Sequence, residues 1–277
     1  MRAMPIKVIS GKRGLFQMKV SFKKNWIHYL QEGLGLAIFM ISACFFGALL
    51  WGKDLSFHVT IQSEMLRNII MGILMGFTAL SIFYSPFTAP SGSHINPAVT
   101  ITFLRLGKMC PWDSLFFIIF QVIGGTIAVY AMGALLGNVL IVAPVNYVVT
   151  IPGKGGVAAA AITEFIIAVI MMLMVLFTSE SASLKKYTRI IAGFFVCLYV
   201  IIAGPVSGFG MNPARSFASA FPAHIYTAFW IYLFLPFAGM LTAAEFFLLV
   251  QKRRKENASK NIPRKYISHK TIKSFIV

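Results

Sequence analysis

Ser91-Gly92-Ser93-His94-Ile95-Asn96-Pro97-Ala98 recurs later in the chain as Ser207-Gly208-Phe209-Gly210-Met211-Asn212-Pro213-Ala214, without a gap and with five of eight positions identical. Two copies of one loop mark an internal repeat. In each copy Asn is a favoured helix N-cap and Pro a favoured first helical residue, so each motif starts a helix. The apolar stretches that follow, 97–105 and 213–220, are too short to cross a membrane and too apolar for ordinary loops. At 1.5 Å per residue each is a helix of roughly 12–14 Å, about half of a ~30 Å hydrocarbon layer, so both read as re-entrant half-helices. Irregular backbone at membrane depth is tolerated only where protein buries it or water bathes it, so the stretches leading into them are expected to line a cavity.

Around the two motifs the chain is a membrane protein. Of its 277 residues 58% are apolar and only 12% charged, with a mean hydropathy of +0.78, where a soluble domain carries charge on about a quarter of its residues. Apolar runs of spanning length lie at 26–51, 67–84, 112–142, 157–178, 190–206 and 226–250, which predicts six spans. Of the 25 Lys and Arg, 7 precede Trp26 and 9 follow Gln251, so both ends are basic tails, 1–25 and 251–277. Basic residues flanking apolar runs read as juxtamembrane anchors, and nucleic acid is not an expected partner. The positive-inside rule puts both termini in the cytoplasm, and six spans satisfy it. The first span is long enough to serve as its own insertion signal, although the acid-free amino-terminal segment also allows a transit-peptide reading. Cys44, Cys110 and Cys197 are scattered and odd in number, and read as small hydrophobes.

Glu32 in the first span and Glu164 in the fourth extend the repeat upstream, giving repeats of about 26–142 and 157–250 inside a domain covering 26–250. Three spans per half is an odd number, so the halves sit upside down relative to each other and the half-helices enter from opposite faces. Their amino termini then meet at mid-membrane, and the centre is electropositive and hostile to cations. If the side-chain oxygens of Asn96 and Asn212 cap the half-helices, their NH₂ groups are left to donate into the cavity.

Ser91 to Thr100, together with Gly208-Phe-Gly-Met-Asn212-Pro213-Ala214-Arg215-Ser216-Phe217, resemble the paired signatures of the aquaporin and glycerol-facilitator (major intrinsic protein) family. The resemblance covers roughly residues 26–250 and includes Glu32, Glu164 and Gln121-Val-Ile-Gly124-Gly125. It implies an all-α membrane protein, with six transmembrane helices plus two re-entrant half-helices in an inverted repeat, assembled as a homotetramer in contact with membrane lipid. It also implies a pore midplane at Asn96, Pro97, Ala98, Asn212, Pro213 and Ala214, approached along the backbone carbonyls of Gly92, Ser93, His94, Ile95, Gly208, Gly210 and Met211.

An intramembrane arginine requires a reason, since a central charge costs ~2.5–3.5 kcal/mol even on the insertion scale. Arg215 has a bland reading as a snorkelling or paired arginine; the resemblance implies the cation of a selectivity filter. The family's spacing then brings Phe209 and Val200 to two neighbouring filter positions, with Met75 as the fourth wall and Gly76 and Phe77 as register alternatives. Glu32 and Glu164 read either as proton-coupling carboxylates or as structural acceptors for amides of the half-helix loops, and the repeat-related positions favour the second. His94 has no partner histidine for a metal and reads as orienting the loop. Gly35, Gly124 and Gly125 are expected to permit close helix contact. No cofactor, metal site or catalytic residue is expected, because the eight acids are dispersed and no nucleophile sits beside a base.

The expected function is a passive channel in the cell membrane, plasma or inner, for water, with glycerol or other small uncharged solutes as further candidate permeants, excluding protons and ions. A proton-coupled transporter is the competing class, because inverted repeats and broken helices serve those proteins too. The selectivity markers conflict. Val200 stands where water-selective members usually carry histidine, and Phe209 and Leu233 look glycerol-type. Ser216, Ala220 and Tyr232 look water-type.

Overall fold

The structure is a computed structural model that describes residues 12–52 and 61–260; residues 1–11 and 261–277 of the basic tails, and residues 53–60, lie outside the described residues. In chain order the helices are α1 (Lys12–Trp51), α2 (Glu64–Tyr84), α3 (Pro97–Arg105), α4 (Pro111–Leu136), the short α5 (Asn138–Ile141), α6 (Gly156–Glu180), α7 (Thr188–Ile202), the short α8 (Gly204–Ser207), α9 (Pro213–Ala223) and α10 (Phe229–Lys260). No strand occurs among the described residues.

Local chemistry sets the helix ends. Ser63 caps α2, its side chain accepting from the amide of Leu66, and the helix stops at Ser85, held extended by the following Pro86. Pro111 opens α4 and Gly137, at φ +54°, closes it. Five helices, α1, α2, α4, α6 and α10, are long and apolar enough to cross a membrane. α7 is the sixth span: its 15 residues reach only about 22 Å, but residues 188–207, continued through α8, reach roughly 30 Å. α3 and α9 are the two half-helices.

α1 begins well before the expected Trp26. The preceding segment contains no proline after Lys12, so the basic residues continue the helix. Asp113, in the first turn of α4, fixes that extension by accepting from Asn25 Nδ2 at 3.1 Å and the Tyr29 hydroxyl at 2.5 Å.

Glycine sets the helix crossings. A Cβ on Gly124 would lie 2.2 Å from the carbonyl oxygen of Gly33, so α1 and α4 touch backbone to backbone. In the second half a Cβ on Gly239 would lie 2.7 Å from the carbonyl oxygen of Phe165, the residue after Glu164 as Gly33 is the residue after Glu32. Gly124 thus makes the expected helix contact. Gly35 instead clears room for Ile95, whose methyl a Cβ would meet at 2.6 Å, and Gly125 faces Leu36 and Ala218.

Ile119, Ile123 and Ile127 on α4, and Ile162, Ile166 and Ile170 on α6, recur every four residues and stand exposed. Rows of this kind on spanning helices have lipid or another apolar surface as their solvent. The chain is an integral membrane protein. Residues 1–244 and 245–277 form two compact units; the second contains the last turns of α10, where Lys252 and Glu256 make a surface pair at 3.9 Å.

Candidate functional site

Each half-helix is reached through a loop in a conformation that L-residues rarely adopt. Gly92 (φ +98°), Ser93 (+50°) and Ile95 (+42°) precede α3; Gly208 (+81°), Phe209 (+48°) and Met211 (+44°) precede α9 at the same repeat positions. Left-handed backbone is rare for bulky residues, above all β-branched Ile95, and costs of order 1–3 kcal/mol per residue unless the surroundings enforce it.

The two buried carboxylates enforce it. Glu32 Oε1 accepts from the Ser91 hydroxyl at 2.6 Å and the His94 amide at 2.9 Å, and its Oε2 accepts from the Ile95 amide at 2.6 Å and Gln121 Nε2 at 2.8 Å. Glu164 Oε1 accepts from the Ser207 hydroxyl at 2.6 Å and the Gly210 amide at 2.8 Å, and its Oε2 from the Met211 amide at 2.5 Å. The serine and the two amides are repeat-equivalent in the two sets. A fully buried carboxylate is stabilised when several donors replace its lost water, and each donor here fixes one loop atom.

The loops then clasp each other. Asn96 Oδ1 caps α3 through the Ala98 amide at 2.8 Å, and Asn212 Oδ1 caps α9 through the amides of Ala214 and Arg215 at 3.1 and 3.2 Å. Each NH₂ crosses to the other half: Asn96 Nδ2 donates to the Met211 carbonyl at 2.9 Å and Asn212 Nδ2 to the Ile95 carbonyl at 2.6 Å. The sequence reading left both NH₂ groups to the cavity; one N–H of each is instead engaged across the repeat, and one remains. Glu32 therefore holds Ile95, whose carbonyl holds Asn212, and Glu164 holds Met211, whose carbonyl holds Asn96.

Beside this clasp lies a cavity of about 320 Å³. From the loops it is lined by Gly92, Ser93, His94, Ile95, Asn96, Gly210, Met211 and Asn212, with Phe209 and Arg215 also on its wall. Arg215 Nη1 is buried and makes no protein hydrogen bond. Val200 and Met75 do not border this cavity; α7 lines it with Thr188, Arg189, Ala192 and Val196, the last one turn before Val200. On α2, Phe77 is 65% exposed on the outer face and Gly76 meets Cys197 of α7, while Met75 is buried inside.

The sequence reading missed part of the apolar wall. Phe39 and Met171 line the cavity, and each lies seven residues after its half's glutamate, on the same helix face. That spacing was a readable signal. Val99, also on the wall, stands three residues after Asn96 as Arg215 stands three after Asn212. The repeat thus places a valine in one half where the other has its cation. His94 packs nearly parallel to Phe103 with ring centroids 4.8 Å apart, and its Nδ1 lies 3.2 Å from the Thr100 hydroxyl. Both contacts lie on the loop's own half-helix.

A protein named "Probable aquaporin NIP-type" from Nicotiana alata is 35% identical over 168 residues, 60% of each chain. Aquaporin NIP1-2 from Arabidopsis thaliana is 33% identical over 185 residues, 65% of this chain and 62% of that one. The matches thus span about 60% of the length of these curated relatives. Among solved structures, the X-ray structure of the aquaglyceroporin from Plasmodium falciparum superposes with a TM-score of 0.65 at 20% identity, over 80% of this chain and 94% of that chain, a likeness of fold. The domain model of the major intrinsic proteins matches residues 19–247, from within the extended first helix to the last span. The inverted halves, with their asparagines clasped at the centre, are therefore those of a family member: this chain belongs to the major intrinsic protein family.

Proposed function

We propose that this chain is a passive transmembrane channel that conducts water, passes glycerol or similar small uncharged solutes more slowly, and excludes protons and ions. The observation that carries the reading is the crossed pair of asparagine amides at the meeting point of two half-helix amino termini. Neutral water can accept from the remaining N–H of each amide. A cation, hydronium included, meets two positive helix ends and Arg215. The relatives named as aquaporins support the same reading. The two glutamates are saturated with loop donors, which supports a structural role over proton coupling and a channel over an enzyme.

In this reading the midplane is Asn96, Pro97, Ala98, Asn212, Pro213 and Ala214, and the backbone carbonyls of Gly92, Ser93, His94, Ile95, Gly208, Gly210 and Met211 form a hydrogen-bonding track. The amides of His94, Ile95, Gly210 and Met211 are held by the glutamates, which supports carbonyls turned the other way; those of Ile95 and Met211 already accept one hydrogen bond each from Asn212 and Asn96. Arg215 and Phe209, both on the cavity wall, are the polar and apolar walls of a filter, with Val200 and Met75 as its remaining walls. The domain runs over 26–250 with basic tails at both ends. The charge of those tails supports cytoplasmic termini in a cell membrane, plasma or inner. The exposed isoleucine rows support lipid contact and a homotetramer.

Stopped-flow light scattering on proteoliposomes tests the reading. Vesicles with the protein are expected to shrink faster than empty ones in an impermeant osmolyte, and to re-swell slowly in glycerol or urea. Rapid glycerol entry with little water flux contradicts the ranking, and solute accumulation driven uphill by a pH gradient contradicts the channel. Phe209→Ala is expected to raise the glycerol-to-water ratio, because it removes the bulk of the apolar wall while alanine tolerates the left-handed backbone no worse than phenylalanine. An unchanged ratio would show that Phe209 does not set the bore.

A further inference from the structure

We propose that Arg189 is a second specificity-determining cation, placed at the inner mouth of the pore, that rejects cations before they reach the clasped asparagines and Arg215. The proposal rests on the channel reading of the same cavity. Arg189 and Arg215 both line that cavity, with Asn96 and Asn212 on the wall as well. Arg189 lies in the first turn of α7, just after the Lys185–Tyr187 turn, and its side chain is exposed. Its Cζ sits 5.6 Å from the ring centre of Tyr84, the last residue of α2, so a cation–π contact holds it between α2 and α7.

The surrounding charge supports a selecting role. Lys185 and Lys186 precede it, and Lys108 Nζ lies 5.8 Å from the ring of Phe103, itself a wall residue. Glu180, at the end of α6, lies 3.9 Å from Lys108. His94 is the titratable group on the wall at this end, and no carboxylate is among the residues lining the cavity. Along the cavity lining a cation therefore meets two guanidinium groups and no carboxylate. A unit charge acting across several ångströms of water depletes a cation roughly threefold. An exposed charge is also screened by salt, whereas the enclosed Arg215 is screened much less. That difference separates the two residues experimentally.

The test measures uptake of methylammonium into proteoliposomes, normalised to the water permeability of the same vesicles, at about 10 mM and about 500 mM salt. The parent is Arg215→Val, and Arg189→Gln or Arg189→Lys is added to it. At low salt Arg189→Gln is expected to raise normalised uptake roughly threefold over the parent, and at high salt the difference is expected to vanish. Arg189→Lys, which keeps the charge but loses the flat guanidinium over Tyr84, is expected to stay at the parent's level. A glutamine double variant that takes up no more than its parent at low salt overturns the proposal, whatever the parent's own leak. So does an increase that persists at high salt, or a lysine variant that behaves like the glutamine one, since either makes Arg189 a packing residue. Absence of water flux in the wild-type protein would instead overturn the channel reading, a separate outcome.

Discussion

Glu32→Gln and Glu164→Gln are each expected to cost on the order of 3 kcal/mol of stability, seen as a fall of roughly 6–12 °C in the thermal midpoint in mild detergent and a lower folded yield. Glutamine keeps one acceptor and turns the other into a donor. In Glu164→Gln the least damaging orientation keeps the oxygen on Ser207 and Gly210 and faces the NH₂ toward the Met211 amide, leaving that buried N–H unpartnered. In Glu32→Gln the NH₂ faces both the Ile95 amide and Gln121. Gln121 can accept there only by turning its own amide, which gives up its bond to Thr100 Oγ1 and leaves its NH₂ buried where Oε1 now has no partner. Each variant then orphans one backbone amide, and Glu32→Gln should cost at least as much as Glu164→Gln. The damage should also appear in the opposite half, since Ile95 and Met211 are the residues whose carbonyls hold Asn212 and Asn96. Surviving Glu32→Gln protein is therefore expected to leak cations past Arg215, whose amide is capped by Asn212. Full stability in either variant would remove the carboxylates from the structural role. A pH-driven uphill transport that these changes abolish would assign them to proton coupling instead.

The repeated Asn-Pro-Ala motif and the paired glutamates made the centre of the fold legible, because a cap followed by a proline, and a costly charge in an apolar span, each have few physical explanations. α3 begins at Pro97 and ends at Arg105, as the sequence predicts, since the cap at one end and polar residues at the other define it locally. The ends of α1 were less legible. Hydropathy marks where lipid begins, not where the helix begins, and the helix continues to Lys12 because helical hydrogen bonds are equally available in water. The crossed asparagines were illegible for another reason. Which carbonyl receives each NH₂ depends on how closely the two loops approach, and that is set by Gly35 clearing space for Ile95. Arg189 was illegible as a cavity residue, because only the packing of α7 against α2 brings it there. Phe39 and Met171 were recoverable from their common spacing to the glutamates, had the repeat been followed along the helices past Glu32 and Glu164.

Arg215→Val is expected to produce the largest change in selectivity. Near a protein surface, with an effective dielectric of about 20, unit charges 4 Å apart interact by about 4 kcal/mol, equivalent to roughly three orders of magnitude in cation occupancy. The two half-helix termini remain in the variant and oppose cations with about half a charge each, so the increase in leak should fall short of that limit, at tenfold or more. Removal of the side chain also takes bulk from a wall residue of the cavity. Larger neutral solutes should then gain on water. The measurement is proton and methylammonium entry into proteoliposomes under a clamped potential, compared among wild type, Arg215→Val and Arg215→Lys. Lysine restores the charge without the planar fork, so it should recover cation rejection more fully than the ranking of solutes. If Arg215→Val stays as tight to cations as wild type, the barrier lies wholly at the clasped asparagines, and the electrostatics of the half-helix termini suffice without the guanidinium. If lysine fails to restore rejection, the arginine acts through the shape of the filter and not through its charge.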